Sequence, residues 1–179
     1  MDQRRDALAS AARFALEVRE LSRAHGGVGT VGGIECEPGI PTAVAGAATA
    51  FVDQRHADAD ALAAVRADAE RASRRIAAEE GVEVTWSPLF RIGPIAFDPA
   101  LIESAAAIVT ELQGVDVRLP SGALHDAANL AGAGVPTVML FVRSKRGLSH
   151  TAEEDTDEPD LALALTALDR LARRLIVAA

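Results

Sequence analysis

The 179-residue sequence predicts a mixed α and β protein in two parts. The first part is a two-layer α+β sandwich, and the second is a portion of an α/β domain. Three observations carry this expectation. Apolar stripes of helical period alternate with short apolar runs of strand length along the whole chain. In the first half the order is helix, strand, strand, helix, strand, which suits helices on one face of a small antiparallel sheet. In the second half helices and strands alternate, as they do around a parallel sheet. The pattern restarts at Arg91-Ile92-Gly93-Pro94, so the expected domains are 1–93 and 94–179.

The first helix runs to about His25, with Leu8, Ala11, Phe14 or Ala15, Val18 and Leu21 on one face, and Gly26-Gly27 ends it. Val28 to Cys36 reads as a strand in which Gly29, Gly32 and Gly33 weaken pairing or mark close backbone approach. Pro38-Gly39-Ile40-Pro41 is a turn. The strand Ala47 to Arg55 then places Phe51, Asp53 and Arg55 on one face. Asp58 suits an N-cap for a helix carrying Leu62, Val65, Ala69, Ala72 and Ile76, and Gly81 stops it. Val82, Val84 and Trp86 alternate as a third strand.

In the second half, Asp98-Pro99 is an N-cap followed by proline at the first helical position. The helix it opens carries Leu101, Ile102, Ala105, Ile108, Val109 and Leu112. Val115 to Leu119 predicts a short strand, and Ala127 to Ala131 a brief helix. Val135 to Val142 is apolar nearly throughout, as buried parallel strands are. A last helix begins near Asp157-Glu158-Pro159, with Leu161, Leu165, Leu168, Leu171 and Leu175 in register.

Composition narrows function. The net charge of −8 and the absence of tyrosine argue against a phosphate-binding surface or a base-stacking platform, so no nucleic-acid partner is expected. Arginines alternate with acids, as in Arg66-Ala67-Asp68-Ala69-Glu70-Arg71, which reads as a solvated, salt-bridged helix face. The lone Cys36 excludes an internal disulfide and a multi-cysteine zinc site, and its place in a strand predicts a buried structural thiol. No apolar run is long enough to span a bilayer and no signal-peptide pattern opens the chain, so the expected location is cytoplasmic, with no membrane partner.

Two loops carry polar side chains suited to chemistry. Gly147-Leu148-Ser149-His150-Thr151-Ala152-Glu153-Glu154 follows an apolar strand, and Ser121-Gly122-Ala123-Leu124-His125-Asp126 lies upstream. Ligands in α/β folds gather at loops leaving strand carboxyl ends. His125 with Asp126, and His150 with Glu154, offer imidazole ligands or orienting carboxylates; solvated loop histidines are the plain alternative. No His-Glu-x-x-His zinc motif and no nucleophile elbow is present. Arg55 could grip a carboxylate bidentately, although spacing alone favours a structural pair with Asp53 or another acid.

Read together, Met1-Asp2-Gln3-Arg4-Arg5-Asp6-Ala7, Pro38-Gly39-Ile40-Pro41, Asp53-Gln54-Arg55-His56, Leu119 to Ala127, Met139-Leu140-Phe141-Val142 and Gly147-Leu148-Ser149-His150 resemble one family. It is the hydantoinase/carbamoylase group of aminoacylase-like metallohydrolases, which includes N-carbamoyl-L-amino-acid hydrolases, β-ureidopropionase and allantoate amidohydrolase. The resemblance covers essentially the whole chain and implies its C-terminal part only. It implies a lid or dimerisation domain over 1–93, lacking its first strand, and the C-terminal portion of a zinc-exopeptidase-like catalytic domain over 94–179.

The resemblance also implies roles. His150 would ligate zinc (or Mn, Co or Ni), and Arg55 would hold a substrate carboxylate across a homodimer formed by the lid. Thr42, Ser121, Gly122, Ala123 and His125 would line the substrate pocket, supported by Asp126 and Glu154. The small-molecule substrates would be N-carbamoyl or ureido amino acids or allantoate-like compounds, cleaved at a non-peptide C–N bond by metal-activated water. The general-base glutamate and the remaining metal ligands have no match in this chain, so it is expected to bind metal weakly and to be inactive alone. The alternative is a non-catalytic dimerisation or binding module derived from that family. Thr42 stands at an asparagine position of the family, Ala45 and Arg143 at proline positions, and Leu124 and Arg146 at glycine positions.

Overall fold

The computed structural model describes residues 4–178. Met1, Asp2 and Gln3, which open the N-terminal motif, lie outside the described residues. The chain divides into two compact units, Met1–Pro94 and Ile95–Ala179.

The first unit holds α1 (Ala7–Ala24), β1 (Val28–Glu37), β2 (Ala47–Arg55) and α2 (Ala59–Glu80). Asp6 and Asp58 start the two helices, each accepting a backbone N–H three residues on. Such caps satisfy donors that a helix leaves without an internal partner. Gly81 ends α2 in the left-handed conformation at φ 68°, where a side chain would be strained. The strands pair antiparallel from Val28 opposite Arg55 to Glu37 opposite Ala47, with an irregularity between Val31 and Gly33.

Both helices pack on this ribbon. Phe14, Val18, Ala69 and Ile76 form the core, with Leu21, Val31, Val52 and Trp86 against it. Gly29 is where α1 comes closest to the sheet: a Cβ there would lie 1.9 Å from Ser22 Oγ. Gly29 therefore allows close backbone approach while keeping its place in the ladder opposite Gln54.

The third strand expected at Val82 to Trp86 does not form. Residues 82–86 join no strand ladder among the described residues. Its tryptophan works through its side chain instead. Trp86 meets Phe14 edge to face, with ring centroids 5.7 Å apart, and its indole N–H donates to Ser73 Oγ at 2.9 Å. Cys36 is half-buried rather than buried, facing a small hollow with Leu8, Ile40 and Ala45.

The second unit contains α3 (Pro99–Gln113), α4 (Asp126–Gly132), a 3-10 turn at Lys145–Gly147 and α5 (Glu158–Ala178). Asp98 caps α3 through the N–H of Leu101, with Pro99 in its first turn. α3 packs on α5 through Ala105, Ile108, Ala167 and Leu171, and Leu112, Val138, Leu140 and Leu175 extend the cluster.

Three expectations fail in this unit. Val115 to Leu119 and Val135 to Val142 belong to no sheet among the described residues, and both are partly exposed rather than buried. A strand forms only where a neighbour takes up its N–H and C=O groups, and apolarity alone supplies none. The buried stripe of α5 is Ala167 and Leu171, with Leu175 beside them, while Leu161, Leu165 and Leu168 face out. The five leucines form one broad stripe, and α3 covers only the edge of it that carries Leu171 and Leu175.

Candidate functional site

The candidate residues fall in both units. Arg55 ends β2, on the sheet face opposite the helices. Its Nε–H donates to Asp53 Oδ2 at 2.6 Å, two residues back on the same face. The pairing expected on spacing alone is therefore present, running along the strand rather than across it. Thr42 lies exposed in the turn that joins β1 to β2.

In the second unit, the loop before α4 is shaped by its serine. Ser121 Oγ donates to the Ala123 carbonyl at 3.0 Å and accepts the Ala123 N–H at 3.3 Å, closing a local turn. His125 follows at the N-cap of α4, with extended backbone and no side-chain cap hydrogen bond. Asp126, the next residue, places a carboxylate in the first turn, where the helix dipole favours negative charge.

His150 lies in a left-handed backbone conformation, φ 59°. The carboxylate of Glu154 holds it there by accepting the His150 N–H at 2.9 Å. Glu154 thus supports this loop through the backbone, leaving the imidazole exposed. Arg146 is the other non-glycine residue in the left-handed region, at φ 58°. Its side chain pairs with Glu153 at 2.8 Å. Glycine would take that backbone without strain.

Beside this loop, Arg143, Lys145, Arg146, Asp157 and Asp160 line an open hollow of about 350 Å³. Lys145 bridges Asp155 at 2.6 Å and Asp157 at 3.0 Å. Those hydrogen bonds, the one to Asp155 first, hold its ammonium above the ordinary lysine value and Asp155 below the ordinary carboxylate range. Among the described residues, no group of three or more His, Cys, Asp or Glu is arranged to hold a metal ion. Among the candidate residues the fold therefore joins Asp53 with Arg55 side chain to side chain, and the Glu154 carboxylate with the backbone of His150.

Sequence reading passed over the other two histidines. His25 Nε2 lies 2.8 Å from Asp68 Oδ2, and the His56 ring contacts backbone atoms of both His25 and Asp58. The signal for this corner was His56 two residues before an N-capping aspartate.

Comparison with known proteins gives this arrangement a context. Peptidase family M20/M25/M40 matches residues 7–174. An N-carbamoyl-L-amino acid amidohydrolase of Geobacillus stearothermophilus is 33% identical over 170 residues, 94% of this chain and 41% of that protein. An allantoate amidohydrolase of Bacillus subtilis is 32% identical over 148 residues, 82% of this chain and 35% of that protein. A crystal structure of a hydantoinase/carbamoylase family amidase from Burkholderia vietnamiensis superposes with a TM-score of 0.85 at 34% identity, covering 97% of this chain and 43% of that one. The chain thus spans about two fifths of the length of the curated relatives it matches. It shares the mixed helix and sheet fold of these amidases. Matched nearly end to end, the chain belongs to Peptidase family M20/M25/M40.

Proposed function

We propose that this chain is the lid and the C-terminal catalytic portion of a metal-dependent amidohydrolase that cleaves non-peptide C–N bonds. Its substrates would be N-carbamoyl or ureido amino acids, or allantoate-like compounds. The observation that carries this reading is the similarity to an N-carbamoyl-L-amino acid amidohydrolase and an allantoate amidohydrolase over most of the chain.

Arg55 suits a substrate carboxylate, because a guanidinium makes two parallel hydrogen bonds to such a group. Asp53 is its internal counter-ion at 2.6 Å, and a substrate carboxylate would compete for that contact. Thr42 in the first unit, and the Ser121-Gly122-Ala123 turn with His125 in the second, are the further residues we assign to substrate contact, with Asp126 supporting His125.

His150 is the residue we assign to a metal, with Glu154 fixing its backbone. A metal site of this kind needs about three protein ligands. The described residues do not assemble three, so they do not fit a complete site and no catalytic step is routed through one. The remaining ligands and the general base would come from residues outside these 179, and the chain alone would be inactive.

A test is the zinc content and turnover of the purified chain with N-carbamoyl-L-amino acids and allantoate. We expect sub-stoichiometric zinc and no turnover. Stoichiometric zinc, with turnover abolished by His150→Ala, would overturn the proposed inactivity. Addition of a polypeptide carrying the relatives' remaining residues should restore turnover that depends on both His150 and Arg55.

A second reading is a non-catalytic module in which the first unit dimerises. It is favoured by the two-stranded sheet, whose outer strand edges have no partner strand among the described residues. Sedimentation giving a strict monomer at high concentration would count against it.

A further inference from the structure

Three parts of the chain meet at the end of β2, next to Arg55. His56 follows that arginine directly, and its ring engages the backbone on both sides. The Asp58 N–H donates to Nδ1 at 2.8 Å, so Nδ1 must present a lone pair. Nε2 lies 3.1 Å from the His25 carbonyl, which can only accept, so Nε2 must carry the proton. The two contacts together select one neutral tautomer.

The groups contacted belong to different helix ends. His25 is the C-cap of α1, and Asp58 is the N-cap of α2. A third contact closes the corner. A Cβ on Gly27 would lie 2.8 Å from the Arg55 carbonyl and 3.1 Å from His56 Cδ2. The turn between α1 and β1 therefore presses bare backbone against the residue that carries the guanidinium.

We propose that His56 is a positioning residue for Arg55, strapping the end of β2 to both helices through its Nε2-protonated ring. This rests on the reading of Arg55 as the contact for the substrate carboxylate. An unstrapped strand end frays, and a guanidinium on it loses the fixed backbone that bidentate recognition requires. Protonation of the ring would convert the Nδ1 acceptor into a donor. The Asp58 N–H would lose its partner, and the ring would turn toward the Asp58 carbonyl, 3.2 Å away.

The charged groups around the ring come from each packed element. Arg55 and Asp53 lie on β2, and Asp58 and Asp60 open α2. At the end of α1, His25 has its own ring held by Asp68, which also pairs with Arg71. The strap thus holds the strand end that carries the guanidinium through the two ring nitrogens of one neutral imidazole.

The test is nuclear magnetic resonance on the full, ¹⁵N-labelled chain. Two-bond nitrogen correlations should give His56 as the Nε2–H tautomer, and the Asp58 amide shift should follow the titration of that ring. In His56→Ala, the Arg55 Nε–H should exchange about tenfold faster at fixed pH, the scale of losing such hydrogen bonds. His56→Asn keeps an acceptor near the Nδ1 position and should restore the Asp58 amide but not the link to His25. His56→Gln should do the reverse. An Nδ1–H tautomer in the wild type, or Arg55 exchange unchanged in His56→Ala, would overturn the proposal. The wild-type titration needs no variant to fold. The underlying reading is tested apart, by saturation-transfer binding of N-carbamoyl-L-alanine to wild type and Arg55→Lys. Binding unaffected by that substitution sinks the carboxylate role while the strap stands.

Discussion

The two units of this chain use similar local signals to different ends. In Met1–Pro94, β1 and β2 pair over their length and both helices cover the same sheet face, although residues 82–86 join no ladder among the described residues. In Ile95–Ala179, an equally clear cap at Asp98 opens α3, which packs on α5, but the apolar runs between the two helices find no ladder partner among the described residues. Val117, Leu119 and Phe141 are each at least 50% exposed, although their sequence reads as core. The difference teaches that a helix satisfies its backbone internally, whereas a strand is completed only by a neighbour.

Hydrogen exchange should break or confirm this contrast with the largest effect. Amides paired between β1 and β2 should exchange on the order of a hundredfold more slowly than those of residues 137–142, because open backbone has little protection. Equal protection in the two would show that the second unit's segments find partners in solution. Addition of a polypeptide carrying the relatives' remaining residues should raise protection in 137–142 and leave the β1–β2 ladder unchanged.

Core truncation sharpens the comparison next. Ile76→Ala should cost about 2–5 kcal/mol in urea denaturation, since the residue is enclosed by two helices and the sheet. Ile108→Ala removes the same atoms from an equally buried position, yet its surroundings are half-open. We expect the lower end of that range there, because an open site collapses more readily around a cavity. Equal losses would remove the energetic difference between the units.

A smaller effect is expected at Arg146. Arg146→Gly relieves the left-handed backbone and should stabilise the second unit by about 1 kcal/mol in thermal unfolding. The exposed pair with Glu153 that it removes contributes little. Destabilisation would mean that this ion pair, rather than backbone strain, dominates the His150 loop.

Acid should act in both units, with the smallest effect. Hydrogen bonding from Arg13 holds the Glu79 carboxyl below its ordinary value of 4.5, and Arg118 does the same for Glu103. A depressed folded value contributes stability above the unfolded pKa, and that contribution is lost as pH falls through the folded value. Both pairs should therefore persist at neutral pH and fail below about pH 4.5, as carboxyl resonances would report. Because both carboxylates are solvent-exposed, the global change should be slight.

Much of the fold was legible in the sequence because its helix boundaries are local. Asp6, Asp58 and Asp98 each cap a helix through a bond to a residue three positions on, and Gly81 ends one through its own backbone freedom. Gly29 was readable only as an ambiguity. Whether it weakened the strand or allowed close approach depended on Ser22, which α1 brings against it. The site was legible in its residue types, since two histidine loops and the arginine at a strand end could be picked out directly. Its connections were only partly so: the pairing of Glu154 with His150 was readable but not that it runs to the backbone, and the reach of His56 to the end of α1, 31 residues away, leaves no trace in residue spacing.

The sequence by itself determined where the helices begin and end, which residues could carry chemistry, and the family pattern they follow. Those features rest on local hydrogen bonds and on side-chain identity. The tertiary structure decided which apolar runs become strands, which face of α5 is buried, and how the end of β2 is held. Each of these depends on whether another part of the chain arrives to accept a hydrogen bond or cover a side chain. The periodicity of a segment cannot specify its neighbour.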